Sequence, residues 1–370
     1  MRSVALALIA IASCASAPVE TAPVYPALTP EAMTLVLSDP QANDGGMRNQ
    51  TLALLGREDL FGEPRTPRVC PALMRDGAAV DPVREIVRLS EGRRLVIINE
   101  AHDNPQNRAF IADVAVALRH HGFSLYAAET FAPSMRTPAR WPRLSDGYYV
   151  HEPAYGALLR RAHAARFRFF EYEFLSPQDE APPPDGDWAP RIARREAGQA
   201  ANLQRILAEH PHDRMLIHVG YGHLQELPDD EGRIFMAQRL KEATGIDPLT
   251  VDITRYASPS ESFVFCDPAQ TQSRAVDFRI GSPALTFTDG RPSWRQRAGQ
   301  RPLAIPPTAT ELTVWEARRA NEPDEAVPVD RLMLRAGERL PLLLSPGRYR
   351  LRSWTQSGGY RDEGEIRAPD

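Results

Sequence analysis

Five short apolar runs, separated by helix-patterned stretches, constrain this chain more than any other feature. The first is Leu95-Val96-Ile97-Ile98-Asn99, a continuous run of the kind found in strands buried on both faces. Asn104 and Pro105 follow as a helix cap and first helical residue, and Phe110, Ile111, Val114 and Leu118 form a stripe at helical spacing. Gly122 suits the helix exit, and Phe123–Ala128 reads as the next strand, completing a β-α-β unit with a right-handed crossover. The alternation continues with a helix over Ala154–Ala165 and a strand over Phe167–Tyr172. After a proline-rich loop over Ser176–Trp188, a helix is predicted over Pro190–Glu209 and a strand over Met215–Val219. A helix over Glu231–Ala243, ended by Gly245, and a strand over Leu249–Ile253 complete the series.

The expected fold is therefore α/β, with a mostly parallel central sheet of about five strands covered by helices on both faces. A (β/α)8 barrel needs three more units, which the sequence does not supply. After about residue 310 the character changes. Leu312–Trp315, Leu332–Leu334, Leu340–Leu344 and Tyr349–Trp354 read as short strands, with a turn at Pro346-Gly347. These predict a small sandwich-like β module. Residues 46–90 are harder to place, apart from a short helix ending at Leu89, and residues 255–309 read as a connection.

The chain begins with Arg2 and a short apolar core over Val4–Ala12, which reads as an export signal too short to span a bilayer. Ala15-Ser16-Ala17 suits ordinary signal peptidase, although Pro18 would then follow the cut. Ile11-Ala12-Ser13-Cys14 looks like a lipoprotein box with Cys14 lipidated, and this is the preferred reading. It places the protein at the periplasmic face of the outer membrane; the other reading makes it soluble in the periplasm. No later segment approaches the ~20 apolar residues of a membrane span. The resulting organisation is a signal over 1–17, a tether over 18–45, an α/β domain over 46–305 and the β module over 306–370. In an oxidising compartment the two remaining cysteines, Cys70 and Cys266, can pair; the alternative is two buried free thiols.

The 370 residues carry 44 basic and 48 acidic side chains, a formal charge of −4. There is no basic excess to hold a nucleic acid. The sequence has no G-x-S-x-G elbow, H-E-x-x-H helix or P-loop. Gly220-Tyr221-Gly222 follows no first strand and lacks a third glycine, so it is not a dinucleotide fingerprint.

Ligands in open α/β sheets bind beyond the carboxyl ends of strands. Glu100 and His102 stand after the first strand, Glu129 after the second, Glu171 and Glu173 near the end of the third, and Gly220-Tyr221-Gly222-His223 after the fourth. All nine histidines lie between 102 and 223, so histidine chemistry belongs to this core. Glu100, His102, Glu129 and His223 are the candidate catalytic residues, either as ligands of a divalent metal or as a metal-free general-base site. Tyr221 and Arg195 are candidate substrate-binding residues, Arg195 as a cation for an anionic group. Each also has a simpler reading. Glu100 and His102 could cap the following helix, Glu129 could pair with an arginine, and the stripe Arg191, Arg195, Asn202 could be a solvated face. His218, in mid-strand, reads as a hydrogen-bonded core histidine. Of Glu171 and Glu173, at most one faces the site.

Ile98-Asn99-Glu100-Ala101-His102-Asp103-Asn104-Pro105 resembles the first motif of the erythromycin esterase/ChaN-like group, which is related to the TraB/Tiki proteins. Ala127-Ala128-Glu129-Thr130-Phe131 resembles its second acidic motif, and His218-Val219-Gly220-Tyr221-Gly222-His223-Leu224 its late glycine-histidine motif. Asn99 stands where the group usually has glycine. The resemblance spans roughly residues 90–255, and its shared positions are Glu100, His102, Glu129 and His223. It implies an α/β fold with a polar site at the strand ends. The group includes lactone esterases, metal-dependent proteases and haem-binding proteins. The function expected is thus an exported lipoprotein hydrolase of ester or peptide bonds, with a small-molecule or peptide substrate. The alternative is a lipoprotein that binds haem or another ligand without catalysis, with Tyr148, Tyr149, Tyr221 and the histidines as possible axial ligands. The β module could contact another protein.

Overall fold

The structure is a computed structural model and describes residues 46–62, 68–136, 140–175, 186–271, 274–306, 312–355 and 361–369. The export signal, Cys14 and the tether lie outside the described residues, as does most of the proline-rich loop.

The central sheet contains β1 (Arg68–Val69), β2 (Leu95–Glu100), β3 (Phe123–Ala128), β4 (Arg168–Glu171), β5 (Arg214–Gly220), β6 (Leu249–Ala257), β7 (Val264–Phe265) and β8 (Phe278–Ser282). Its order is β4-β3-β5-β2-β6-β8-β7, with β1 beside the far end of β6. All pairings are parallel except β8 with β7. The five expected strands are all present. Residues 255–309, expected only to connect, instead supply two strands to this sheet.

Alternate residues of β2 face two different cores, which is why the run has no polar alternation. Val96 and Ile98 pack with Ile86, Ile111, Val114 and Leu158. These come from α2 (Pro82–Leu89), α3 (Pro105–His120) and α4 (Pro153–Ala164). Leu95 and Ile97 pack with Leu203, Leu207 and Leu240. These come from α5 (Ala189–Glu209) and α6 (Met236–Thr244), so a helical layer covers each face of the sheet. Asn104 caps α3 by accepting from the Gln106 N–H at 3.1 Å, which leaves Glu100 and His102 free of that duty. The last helix is shorter than expected. Asp229 accepts from the backbone of Glu231 and Arg233 and folds these residues into a turn, so α6 begins at Met236.

The C-terminal module is built on a four-stranded antiparallel sheet, with a two-stranded one packed against it. The four-stranded sheet comprises β9 (Thr313–Arg319), β10 (Asp330–Leu334), β12 (Gly347–Thr355) and β13 (Arg361–Ala368) in the order β10-β9-β12-β13. The remaining strand, β11 (Leu342–Leu344), pairs with Arg301–Leu303. One face packs Trp315, Leu332, Leu342, Tyr349 and Leu351. On the other, Val314, Met333 and Trp354 meet Leu52 of α1 (Met47–Leu54) and Leu55. The module is bound to the α/β part through Leu144 N–H to Glu325 O at 3.0 Å and through Arg331, which donates to the carbonyls of Leu54 and His151 at 2.9 Å. Cys70 and Cys266 form a disulfide that closes a loop of 196 residues.

Candidate active site

The strand order brings the candidate residues together. β5 lies between β3 and β2, and β4 lies outside β3. Gly220 pairs with Glu100, and Ala128, the residue before Glu129, pairs with both His218 and Glu171. The carboxyl ends of four adjacent strands therefore present Glu173, Glu129, Gly220 and Glu100 side by side.

Glu100 is buried and fully engaged. Arg108, on the first turn of α3, donates from Nε to Glu100 Oε2 and from Nη2 to Oε1, each at 2.9 Å. The third Arg108 nitrogen, Nη1, reaches Glu152 Oε2 at 3.3 Å. His218 Nε2 lies 3.0 Å from Oε2 of Glu100, and His102 Nδ1 lies 3.2 Å from Oε1. Burial pushes the Glu100 carboxyl up, but the Arg108 guanidinium and then His218 outweigh it and hold it well below the usual carboxylate range. His218 is buried and hydrogen-bonded as expected, with its Nδ1 2.9 Å from the hydroxyl of Tyr126 and 3.2 Å from that of Tyr155. It is also part of the site, because its other nitrogen meets Glu100.

His102 sits in a shaped cradle. Its ring stacks on Tyr149 at 4.1 Å between centroids and meets Tyr221 edge-on at 4.8 Å. Gly220 forms the floor. A Cβ at that position would lie 2.4 Å from His102 Cε1 and 2.5 Å from Nε2, so only glycine permits the ring this place. Tyr221 itself has a positive φ of 37°. Asn99 holds that turn by donating to the Tyr221 carbonyl at 2.7 Å and to Asp252 Oδ1 at 2.9 Å. Burial pushes the Tyr221 phenol up to about 12.

Glu129 is the second centre. Its Oε2 accepts the Gly220 N–H at 2.6 Å, and Arg195 Nη2 donates to Oε1 at 2.5 Å. Burial pushes this carboxyl up, but His223 and Arg195 outweigh burial and hold it far below its ordinary value. His223 Nε2 is 3.6 Å from Glu129 Oε1, and its Nδ1 is 2.6 Å from Glu196 Oε1. Burial pushes the His223 imidazole down, but Glu129 and Glu196 overcome this and raise it. Arg195 also donates to Glu173 from Nε at 3.0 Å and from Nη2 at 2.5 Å. Of the two late glutamates it is therefore Glu173 that joins the site.

The structure thus assembles all six candidate site residues, Glu100, His102, Glu129, Arg195, Tyr221 and His223. It adds Arg108, Tyr149, Glu173, Glu196 and His218. Arg108 carried a readable signal, because an arginine in the first turn opposes the helix dipole and needs a strong partner there. Glu196 and Tyr149 are brought in by tertiary packing.

The four residues considered as metal ligands are arranged differently from a metal shell. In such a shell, carboxylate and imidazole lone pairs converge on one point. Here the oxygens of Glu100 and Glu129 face guanidinium groups. Among the described residues, no group of three or more His, Cys, Asp or Glu side chains is placed to hold a metal ion. The possible haem ligands also pack on one another: Tyr148 meets Tyr149, and Tyr149 and Tyr221 both pack on His102.

No family model matches the chain, and no curated protein matches it. Among solved structures it is similar to the type III effector HopBA1, with 18% identity and a TM-score of 0.38, over 60% of this chain and 99% of that one. It is similar to RRSP, a MARTX toxin effector domain from Vibrio vulnificus, with 17% identity and a TM-score of 0.35, over 61% of this chain and 46% of that one. A further likeness is to a bacterial protein toxin, with 14% identity and a TM-score of 0.34, over 56% of this chain and 40% of that one. Nothing about this chain's activity follows from likenesses of this size.

Proposed function

We propose that the chain is an exported hydrolase of ester or peptide bonds in which His102 is the general base. The observation that carries this reading is the Glu100–His102 dyad. Arg108 fixes the carboxylate and the carboxylate faces Nδ1 of His102, which assigns the proton exchange in this reading to Nε2. Glu100 remains ionised, so it orients the ring and stabilises an imidazolium without taking the proton.

In the reaction, His102 Nε2 removes a proton from water as the oxygen attacks the carbonyl carbon. The resulting oxyanion is met by His223. His102 then returns its proton to the leaving alcohol or amine as the C–O or C–N bond breaks. Glu129 holds Arg195 and the Gly220 backbone in place. The motif resemblance to the erythromycin esterase/ChaN-like group supports the reaction class. Cys14 as a lipidated first residue supports a location at the outer membrane.

The test is turnover of a panel of p-nitrophenyl esters and peptide p-nitroanilides by the mature chain and by His102→Ala. Loss of turnover by about 10²–10⁴-fold with an unchanged melting temperature is the expected result. A folded variant with wild-type turnover would overturn the reading.

A further inference from the structure

We propose that the site takes an apolar acyl group, or an apolar side chain, next to the bond it cleaves, and discriminates against anionic substrates. This rests on the hydrolase reading for the position of that bond. Two independent observations carry it, one electrostatic and one geometric.

The electrostatic one concerns Arg195, which the sequence suggests for an anionic group. That guanidinium is already shared between Glu129 and Glu173. Arg108 is likewise committed to Glu100 and Glu152. Glu196 adds a fifth carboxylate beside His223. Five carboxylates therefore gather around two guanidinium groups, so acidic side chains outnumber the arginines that hold them. A carboxylate or phosphate brought next to the scissile bond meets like charge, and a neutral group does not.

The geometric one is a half-exposed apolar strip that runs to the site, with the Arg191 guanidinium 5.0 Å over its outermost ring, Trp188. Trp188, Ile192 and Arg195 follow one another at i, i+4 and i+7 around the start of α5, so they share a face of that helix. Further along the same helix, Glu173 and Phe174 pack on it. Gln199 donates to Glu173 Oε1 at 2.9 Å, and a Cβ on Gly198 would lie 2.1 Å from the Phe174 ring. Trp188, Ile192, Phe174, Leu175 and Tyr221 are each between 37% and 68% exposed. Large apolar residues gathered beside a polar site, rather than scattered, mark a binding surface. The helix face it shares with Arg195 assigns it to the part of the substrate adjoining the reacting carbonyl.

The experiment separates binding from turnover. His102→Ala is titrated calorimetrically with N-octanoylglycinamide, N-acetylglycinamide and N-succinylglycinamide. The octanoyl probe should bind at least about 10-fold tighter than the acetyl probe, and the succinyl probe no tighter than the acetyl one. Adding Trp188→Ala and Ile192→Ala should bring the octanoyl-to-acetyl ratio close to 1. Equal octanoyl and acetyl affinities, a preference for the succinyl probe, or a ratio untouched by the double substitution would each overturn the inference. So would a sharp loss of thermal stability in the double variant, since it would show that the strip is packed within the chain's own fold. The matching p-nitrophenyl esters are then offered to the chain with His102 intact. Absence of turnover on all of them, with the binding preference intact, would sink the hydrolase reading while leaving the ligand class standing.

Discussion

Replacing Gly220 by alanine isolates the geometry on which the site depends. The added methyl carbon would lie 2.4 and 2.5 Å from two ring atoms of His102 and 3.1 Å from Glu129 Oε2. Ordinary contacts between such atoms are about 3.5–4.0 Å, so the ring must retreat by roughly 1 Å or more. It cannot retreat freely, because Tyr149 stacks on it at 4.1 Å and Glu100 faces Nδ1. Overpacking of this kind costs about 1–3 kcal/mol. A displacement of about 1 Å in a catalytic group costs on the order of 10²-fold in rate. The assay is a double-mutant cycle in urea, read by tryptophan fluorescence, with ester turnover measured beside it. Gly220→Ala should destabilise the wild-type chain by about 1–3 kcal/mol. In a His102→Ala background the same change should cost much less, since only the Glu129 contact remains, giving a coupling above ~0.5 kcal/mol. Equal costs in the two backgrounds would refute the placement of His102 on Gly220. Undiminished turnover in Gly220→Ala would refute the role given to that ring.

Three further outcomes follow from the charges and the covalent bond. Arg108→Leu strands a buried Glu100 carboxylate and should cost about 3–5 kcal/mol in urea unfolding, whereas a loss under 1 kcal/mol would show that the pair is not buried as described. His223 is raised in the folded state, so its stabilising contribution is complete below the ordinary imidazole value of about 6.5 and fades as pH rises through the folded value. The stability gap between wild type and His223→Asn should therefore shrink from pH 6 to pH 9, and a gap that widens would contradict the assignment. Converting Cys70 and Cys266 to serine opens a loop of 196 residues and should cost about 2–5 kcal/mol, checked by urea unfolding with and without reductant on the wild type.

What the sequence showed and what it hid divide along physical lines. β2 was legible because both of its faces are buried, so its residues form an unbroken apolar run that stops where the polar site begins. The same contrast exposed Glu100, Glu129 and Gly220 as strand-end residues. The start of α6 was hidden because its first N–H groups take a partner from another helix: Glu196 Oε2 accepts from Met236 at 2.6 Å. β1 and β7, two residues each, are too short to carry a period. Nothing local to Arg108 or Arg195 names the carboxylate it meets.

Those two arginines are what turn a set of strand-end carboxylates into a particular kind of site. α3 packs on one face of the sheet and α5 on the other, and each sends one guanidinium to the strand ends. Glu100 is held ionised from one side and Glu129 from the other, with β5 between them. The two pairs meet across Gly220, whose N–H goes to Glu129 and whose missing side chain makes room for His102. A guanidinium is a fixed cation that accepts no proton at any physiological pH. The carboxylates it holds therefore act as fixed charges, and proton transfer at this site falls to the imidazoles. Of these, His218 is buried behind Glu100, with its ring nitrogens facing that carboxylate and two tyrosine hydroxyls. His223 is raised by Glu129 and Glu196 and faces both of them. The remaining imidazole of the site is His102, the one proposed as the base.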